Sequence, residues 1–454
     1  MLHKALGAPD WLAKSSVYQI NPRTFSAEGT LKAVTKELPY LKEMGFNIIY
    51  LCPIFQADAS ENRDNWSERQ KKYQTQNPKN PYRMNNYFRI DEEYGTMEDL
   101  AECVQECHKL GMRLLLDLVY FHIGPNGDIL QTHPEFARQD ADGNTINGPW
   151  HFPAFDFNSQ GLREYLWCNM VYYIAVLDVD GFRCDVADMV PLDFWVEGRR
   201  RILAVKSDAI LINEGTNGNS MITAFNAVYG FSWHSKLYDV VVEGHSVAAL
   251  RDDWQEVQKM YPAGGYILRD MENHDTSTDW PDRIENMLGH SGMDMIQALN
   301  YTMDGIPMVY TGNELADQAR INMFANRFYP GKYTMTDRSA EAKAAPAAQS
   351  RQALMRQLNQ LKKEDPRYSC GKTTWLEHDK PDDVIAFSRE YEGKRLWFVG
   401  NVRNEPAVVT LSEGAPLDAE RTIARGGEQS DGNTFKLEPY GFIVIRELNG
   451  EIKC

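Results

Sequence analysis

Short apolar runs alternate along the chain with longer stretches whose apolar residues recur every three or four positions. The short runs fall at 17–20, 47–52, 113–119, 179–184, 209–213, 227–231, 266–271 and 307–311. Runs of this length, bounded by polar residues, predict strands buried on both faces. Between them, 30–44, 97–110, 163–177 and 293–303 read as amphipathic helices. Strand and helix alternating eight times predicts an α/β fold, a parallel (β/α)8 TIM barrel. Near residue 365 the period changes. A helical stretch at 349–364 ends before Pro366, and period-two runs follow at 384–388, 395–401, 407–411 and 441–446. That predicts a barrel over 1–365 and a C-terminal antiparallel β-sandwich domain over 366–454. Residues 337–349 read as a loop or as the start of a helix.

Two connections exceed ordinary βα loops. One runs from 53 to about 88 and is polar; the other spans 121–160, a short subdomain rich in Gly, Pro and Asn. On a barrel both stand at the C-terminal face, where sites form.

Composition narrows the function. The net charge is −16, so the chain repels phosphate backbones and nucleic acid is not an expected partner. No apolar run approaches the ~18 residues of a membrane helix, so no membrane partner is expected. Aromatic residues reach 11 %, and their ring faces suit a sugar-binding cleft. The seven cysteines show no metal spacing and read as reduced thiols. Residues 1–11 hold no apolar leader segment, so the expected location is cytoplasmic. Oligomeric state is left open.

Four strand ends carry polar groups that a structural strand does not need. They read Asp117-Leu-Val-Tyr-Phe-His122, Gly181-Phe-Arg183-Cys-Asp185, Asn213-Glu214 and Glu272-Asn273-His274-Asp275. A barrel brings these ends together. Two carboxyls flanking a bond are the requirement of glycoside hydrolysis, with a third to stabilise the cationic transition state. Arg183, two residues before Asp185, shares its side of the strand and would keep it ionised. A lone Asp at a strand end is more often a cap or loop anchor, and Asp117 could serve only to hold Arg183. The joint occurrence carries the argument.

These residues resemble the conserved regions of the α-amylase family, glycoside hydrolase family 13. The resemblance covers Val17-Tyr-Gln-Ile-Asn-Pro-Arg-Thr-Phe25, the four strand ends, and Gly305-Ile-Pro-Met-Val-Tyr310-Thr-Gly312-Asn-Glu314. It implies Asp185 as nucleophile, Glu214 as general acid/base and Asp275 as transition-state stabiliser. It also implies substrate contacts from Tyr82, Asp117, His122, Arg183 and His274, with Tyr82 stacking on the sugar and both histidines donating to its hydroxyls. Trp150 and Phe152 are weaker stacking candidates. Phe121 stands where the family often has a Ca²⁺-binding Asn, and Met189 replaces a His whose backbone also binds the ion. No cofactor and no structural Ca²⁺ site are therefore expected. Asp188 stands where a Lys often meets the acceptor sugar, and Gly215-Thr216 follow Glu214 in place of a bulky residue. The expectation is a retaining α-glycosidase acting on short α-linked oligosaccharides. Two alternatives stay open: a transglycosylase using the same three carboxylates, and a non-catalytic sugar-binding relative.

Overall fold

A computed structural model of the chain describes residues 3–417 and 419–447. The eight expected strands form one closed parallel barrel: β1 Val17–Ile20, β2 Ile48–Leu51, β3 Arg113–Leu118, β4 Gly181–Cys184, β5 Ile210–Asn213, β6 Ala227–Tyr229, β7 Tyr266–Arg269 and β8 Ile306–Tyr310. Each strand pairs with the next, and β8 closes on β1 with Val17 opposite Met308.

Period two sorts the strand side chains. Val17, Ile48, Tyr50, Leu115, Ile210, Ile212, Leu268 and Met308 fill the barrel interior. Their neighbours Tyr18, Ile49, Leu51, Leu114, Leu116 and Phe182 face the helices and join the main core. The inward row of β3 therefore runs from Leu115 to Asp117, and that of β4 from Gly181 to Arg183. Gly181 has φ +145°, and a Cβ there would lie 2.1 Å from the Ile210 carbonyl oxygen, so only glycine lets β4 approach β5.

The helix Gln160–Leu177 starts at a Ser159 cap, and Met97–Lys109 starts at a Thr96–Asp99 capping box. The segment left open at 337–349 carries a short helix, Ala340–Ala344, and the start of Pro346–Glu364. The first long connection is ordered. Phe55–Ala57 pairs antiparallel with Met84–Ile90, and a helix, Glu68–Tyr73, stands between them.

The antiparallel C-terminal domain comprises β9 Lys372–Trp375, β10 Val384–Tyr391, β11 Lys394–Asn401, β12 Ala407–Thr410, β13 Glu420–Gln429 and β14 Thr434–Arg446. It is built as one sheet bent along β14, whose residues 442–446 pair with β11 and 434–437 with β12, while β13 spans both halves. Val384, Ala386, Trp397 and Phe435 make its own core. The alternate residues Ile385, Phe387, Phe398 and Phe442 join the barrel's core. Arg389 donates to the Thr302 carbonyl at 2.8 Å, which ties the sheet to the barrel helix Ile284–Thr302. Among the described residues, no helix is long and apolar enough to cross a membrane. Six cysteines are free thiols, and Cys454 lies outside the described residues.

Candidate active site

The C-terminal ends of β3, β4 and β5 meet at one buried guanidinium. Asp117 and Arg183 are direct cross-strand neighbours. Arg183 Nη1 donates to Asp117 Oδ1 at 2.7 Å and to Asp185 Oδ1 at 2.9 Å, and its Nη2 contacts the Glu214 carboxylate. The Tyr50 hydroxyl holds the other Asp117 oxygen at 2.6 Å. Tyr50, Tyr82 and Tyr229 place ring centroids within 6.0 Å of the Arg183 guanidinium carbon, so aromatic faces surround the cation.

Asp185 and Glu214 each follow the last residue of a strand. Their amides continue the barrel ladder, donating to the Leu118 and Cys184 carbonyls at 2.9 and 3.1 Å. The next residue, Val186, adopts φ +37°, a left-handed conformation that strains a β-branched side chain. Its N–H donates to Glu214 Oε2 at 2.7 Å, so the strained turn links the two carboxylates.

A cavity of about 370 Å³ opens over this floor. Asp185, Glu214, Asp275, Tyr82, His122 and His274 all line it, as do Trp150 and Phe152. Asp117 and Arg183 lie beneath, buried. Asp275 reaches solvent with 35 % of its side chain exposed, against 8 % for Asp185 and 9 % for Glu214.

Tyr82 is held in place twice. Its ring stacks on His274 at 5.4 Å with planes 14° apart. Its hydroxyl bonds His274 Nε2 at 2.6 Å and Asp117 Oδ2 at 3.2 Å. Gln19 Nε2, a donor, meets His274 Nδ1 at 2.9 Å, which assigns the ring proton to Nε2. His122 Nε2 donates to the Tyr82 carbonyl at 2.7 Å. Both histidines thus direct an N–H to Tyr82 in the resting site, where donation to a sugar was expected. A sugar hydroxyl must displace these contacts to receive them.

Electrostatics separate the three carboxyls. Burial, partly offset by Arg183, pushes Glu214 up to about 7. Burial and then the charge of Glu214 raise Asp185. Two carboxyls on one cation titrate as a unit, and this unit retains a proton near neutrality. Asp275 goes the other way. Burial opposes its ionisation, but His274 and Arg69 outweigh it and hold it below the usual carboxylate range. His122 is lowered by burial to about 4 and is neutral.

Arg69 was not foreseen. It lies on Glu68–Tyr73 in the first long connection, donates to Asp275 Oδ1 at 2.6 Å and meets Asp279 Oδ1 at 3.0 Å. Only the polarity of that connection pointed to it. Met323 and Phe324, from the segment after β8, also line the cavity without a sequence signal. Asp188 has a structural task. Its Oδ2 accepts from the Thr216 and Asn217 amides at 2.8 and 3.1 Å, and its Oδ1 from Asn213 Nδ2 at 2.8 Å. A Cβ at residue 215 would lie 2.3 Å from Asp188 Oδ2, so Gly215 is the residue this anchor permits.

Known proteins match this chain along its length. A family profile described as the α-amylase catalytic domain matches residues 11–142. A cyclomaltodextrinase of Thermoanaerobacter pseudethanolicus is 23 % identical, over 97 % of this chain and 78 % of its own length. A maltogenic α-amylase of Bacillus acidopullulyticus is 24 % identical, over 96 % of this chain and 78 % of its own. The crystal structure of a maltogenic α-amylase from Thermotoga neapolitana superposes with a TM-score of 0.78 at 26 % identity, covering 96 % of both chains. Fold and similarity make the protein a glycoside hydrolase built on a (β/α)8 barrel. Over its whole length the chain is similar to members of the α-amylase family, glycoside hydrolase family 13.

Proposed function

We propose that the protein is a retaining α-glycosidase that hydrolyses α-glucosidic bonds in maltooligosaccharides and related short α-glucans. The observation that carries this is the single Arg183 guanidinium shared by Asp117, Asp185 and Glu214 at the cavity floor. Holding both reacting carboxyls on one planar fork favours the short separation of a retaining pair, about 5–5.5 Å, over the wider inverting one. The relatives named above act, by name, on cyclomaltodextrins or release maltose, which supports a short α-glucan substrate.

Asp185 attacks the anomeric carbon while Glu214 passes its proton to the departing glycosidic oxygen. The C1–O bond breaks as the Asp185 ester forms. Glu214, now a carboxylate, takes a proton from water, whose oxygen attacks C1 and releases Asp185. Asp275, ionised and partly exposed, faces the ring as positive charge develops there. Tyr82 supplies an aromatic face and, with the two histidines, the contacts that orient the donor sugar. Arg183 and Asp117 position the carboxyls without reacting.

The family's Ca²⁺ does not fit this chain. The Phe121 ring packs edge-on against Trp150 at 6.0 Å, and the Arg138 guanidinium lies 6.0 Å over it. A ring and a fixed cation offer no oxygen ligands, so no step is assigned to a metal. Free thiols and a relative named as intracellular support a cytoplasmic location. Substituting Asp185→Asn should abolish turnover of maltotriose while the protein still melts in one cooperative transition. Near-normal turnover would remove Asp185 from the mechanism.

A further inference from the structure

A second cavity, of about 450 Å³, adjoins the cleft and shares Asp279 with it. Lys72, Arg320 and Lys332 line it, together with Tyr73, Trp280 and Tyr333. In a chain of net charge −16, three cations converge here, and none of them forms an ion pair among the described residues. The one carboxylate in the wall is already matched: Asp279 Oδ1 receives Arg69 Nε at 3.0 Å and the Tyr73 hydroxyl at 2.7 Å.

The cations rest on ring faces. Lys72 lies 5.1 Å over Tyr73, and Lys332 and Arg320 lie 5.7 and 5.9 Å over Tyr333. Arg320 uses Nη2 on the Trp280 carbonyl at 3.1 Å, but its Nε is buried with no acceptor. A buried cationic donor without a partner is costly and marks a missing acceptor. One guanidinium fork plus two ammonium groups match a doubly charged, three-oxygen anion better than a carboxylate.

Glu214 protonates the leaving group, so the leaving side of the cleft is its side. Glu214 does not line the second cavity, which opens beyond Asp275 and its neighbour Asp279. We propose that this cavity is an anion subsite that takes a phosphate monoester carried on the non-reducing side of the donor sugar. This rests on the reading of the cleft given above and names a substrate class for it.

Calorimetry with the Asp185→Asn protein compares three probes: maltotriose, maltotriose phosphorylated at O6 of its non-reducing glucose, and inorganic phosphate. The phosphorylated trisaccharide should bind at least about 10-fold tighter than maltotriose. Arg320→Gln, Lys72→Ala and Lys332→Ala should each reduce that preference several-fold and leave the maltotriose Kd unchanged. Lys72 and Lys332 are exposed, so their variants keep the test decisive should Arg320→Gln fail to fold. Equal affinity for the two sugars, or a preference that survives all three substitutions, overturns the subsite. Binding of inorganic phosphate with no gain for the phosphorylated sugar overturns its placement on the donor. Wild-type hydrolysis of plain maltotriose is read alongside. Its presence with equal affinities removes only the subsite, whereas its absence removes the reading of the cleft.

Discussion

Glu214 offers a direct test of the electrostatics, because the acid that catalysis needs is also a cost to the fold. Burial lifts it from 4.5 to about 7. At about 1.36 kcal/mol per unit, ionising it in the folded state costs about 3 kcal/mol more than in the unfolded chain. The sign follows from the raised value. The folded state binds this proton more tightly, so the contribution is complete below about 4.5 and is lost as pH rises through about 7. Glu214→Gln keeps the shape and an acceptor for the Val186 N–H but removes the ionisation. The variant should match the wild type near pH 4 and exceed it by about 3 kcal/mol at pH 8. For 454 residues at about 2.1 cal/mol/K each, that is a melting temperature about 3 °C higher. Differential scanning calorimetry of both proteins from pH 4 to 9 reads it. A difference that does not grow with pH, or a variant less stable at pH 8, would refute the argument. The same ionisation sets activity: kcat/KM should fall as pH rises above about 7.

The other expectations are narrower. Arg69→Ala removes a charge that holds Asp275 low, so the Asp275 carboxyl should titrate at higher pH when followed by carboxyl-carbon NMR; an unmoved titration would separate Arg69 from Asp275. Gly215→Ala drives a methyl into the Asp188 carboxylate and should cost about 1–3 kcal/mol. Adding Asp188→Ala should recover part of that loss in a double-mutant cycle, and strict additivity would show that the two residues are not in contact. Melting temperatures in EDTA and in excess Ca²⁺ should coincide, because Phe121 and Arg138 offer no oxygen ligand to the ion. A clear stabilisation by Ca²⁺ would contradict that assignment.

The barrel was legible because parallel strands buried on both faces leave short, largely apolar runs, although Gln19, Asp117, Arg183 and Arg269 interrupt four of them. Asp117, Asp185 and Glu214 were legible for the same reason, because each sits in or directly after such a run, whereas Asp275 closes the polar stretch 272–275 beyond β7. What escaped is long-range or irregular. Arg69 meets Asp275 across 206 residues, and nothing local to the helix Glu68–Tyr73 announces that partner. Strand β13 escaped because Glu-Arg-Thr-Ile-Ala-Arg-Gly-Gly-Glu-Gln has no alternation, and two register shifts interrupt its pairing with β14. The task of Asp188 escaped because its partners are backbone amides of the segment after Glu214, which no side-chain pattern reports. The histidines were identified as cavity residues, but their resting partner, Tyr82, depends on a loop packed over the barrel mouth.

The central claim is that Asp185 becomes covalently glycosylated. Incubation with 5-fluoro-α-D-glucosyl fluoride slows breakdown of such an intermediate, and mass spectrometry of the digested protein locates the sugar. One fluoroglucosyl label is expected on the peptide carrying Asp185, absent after Asp185→Asn. A label on Glu214 or Asp275, or rapid turnover of the reagent to a β-configured product with no label, would contradict it.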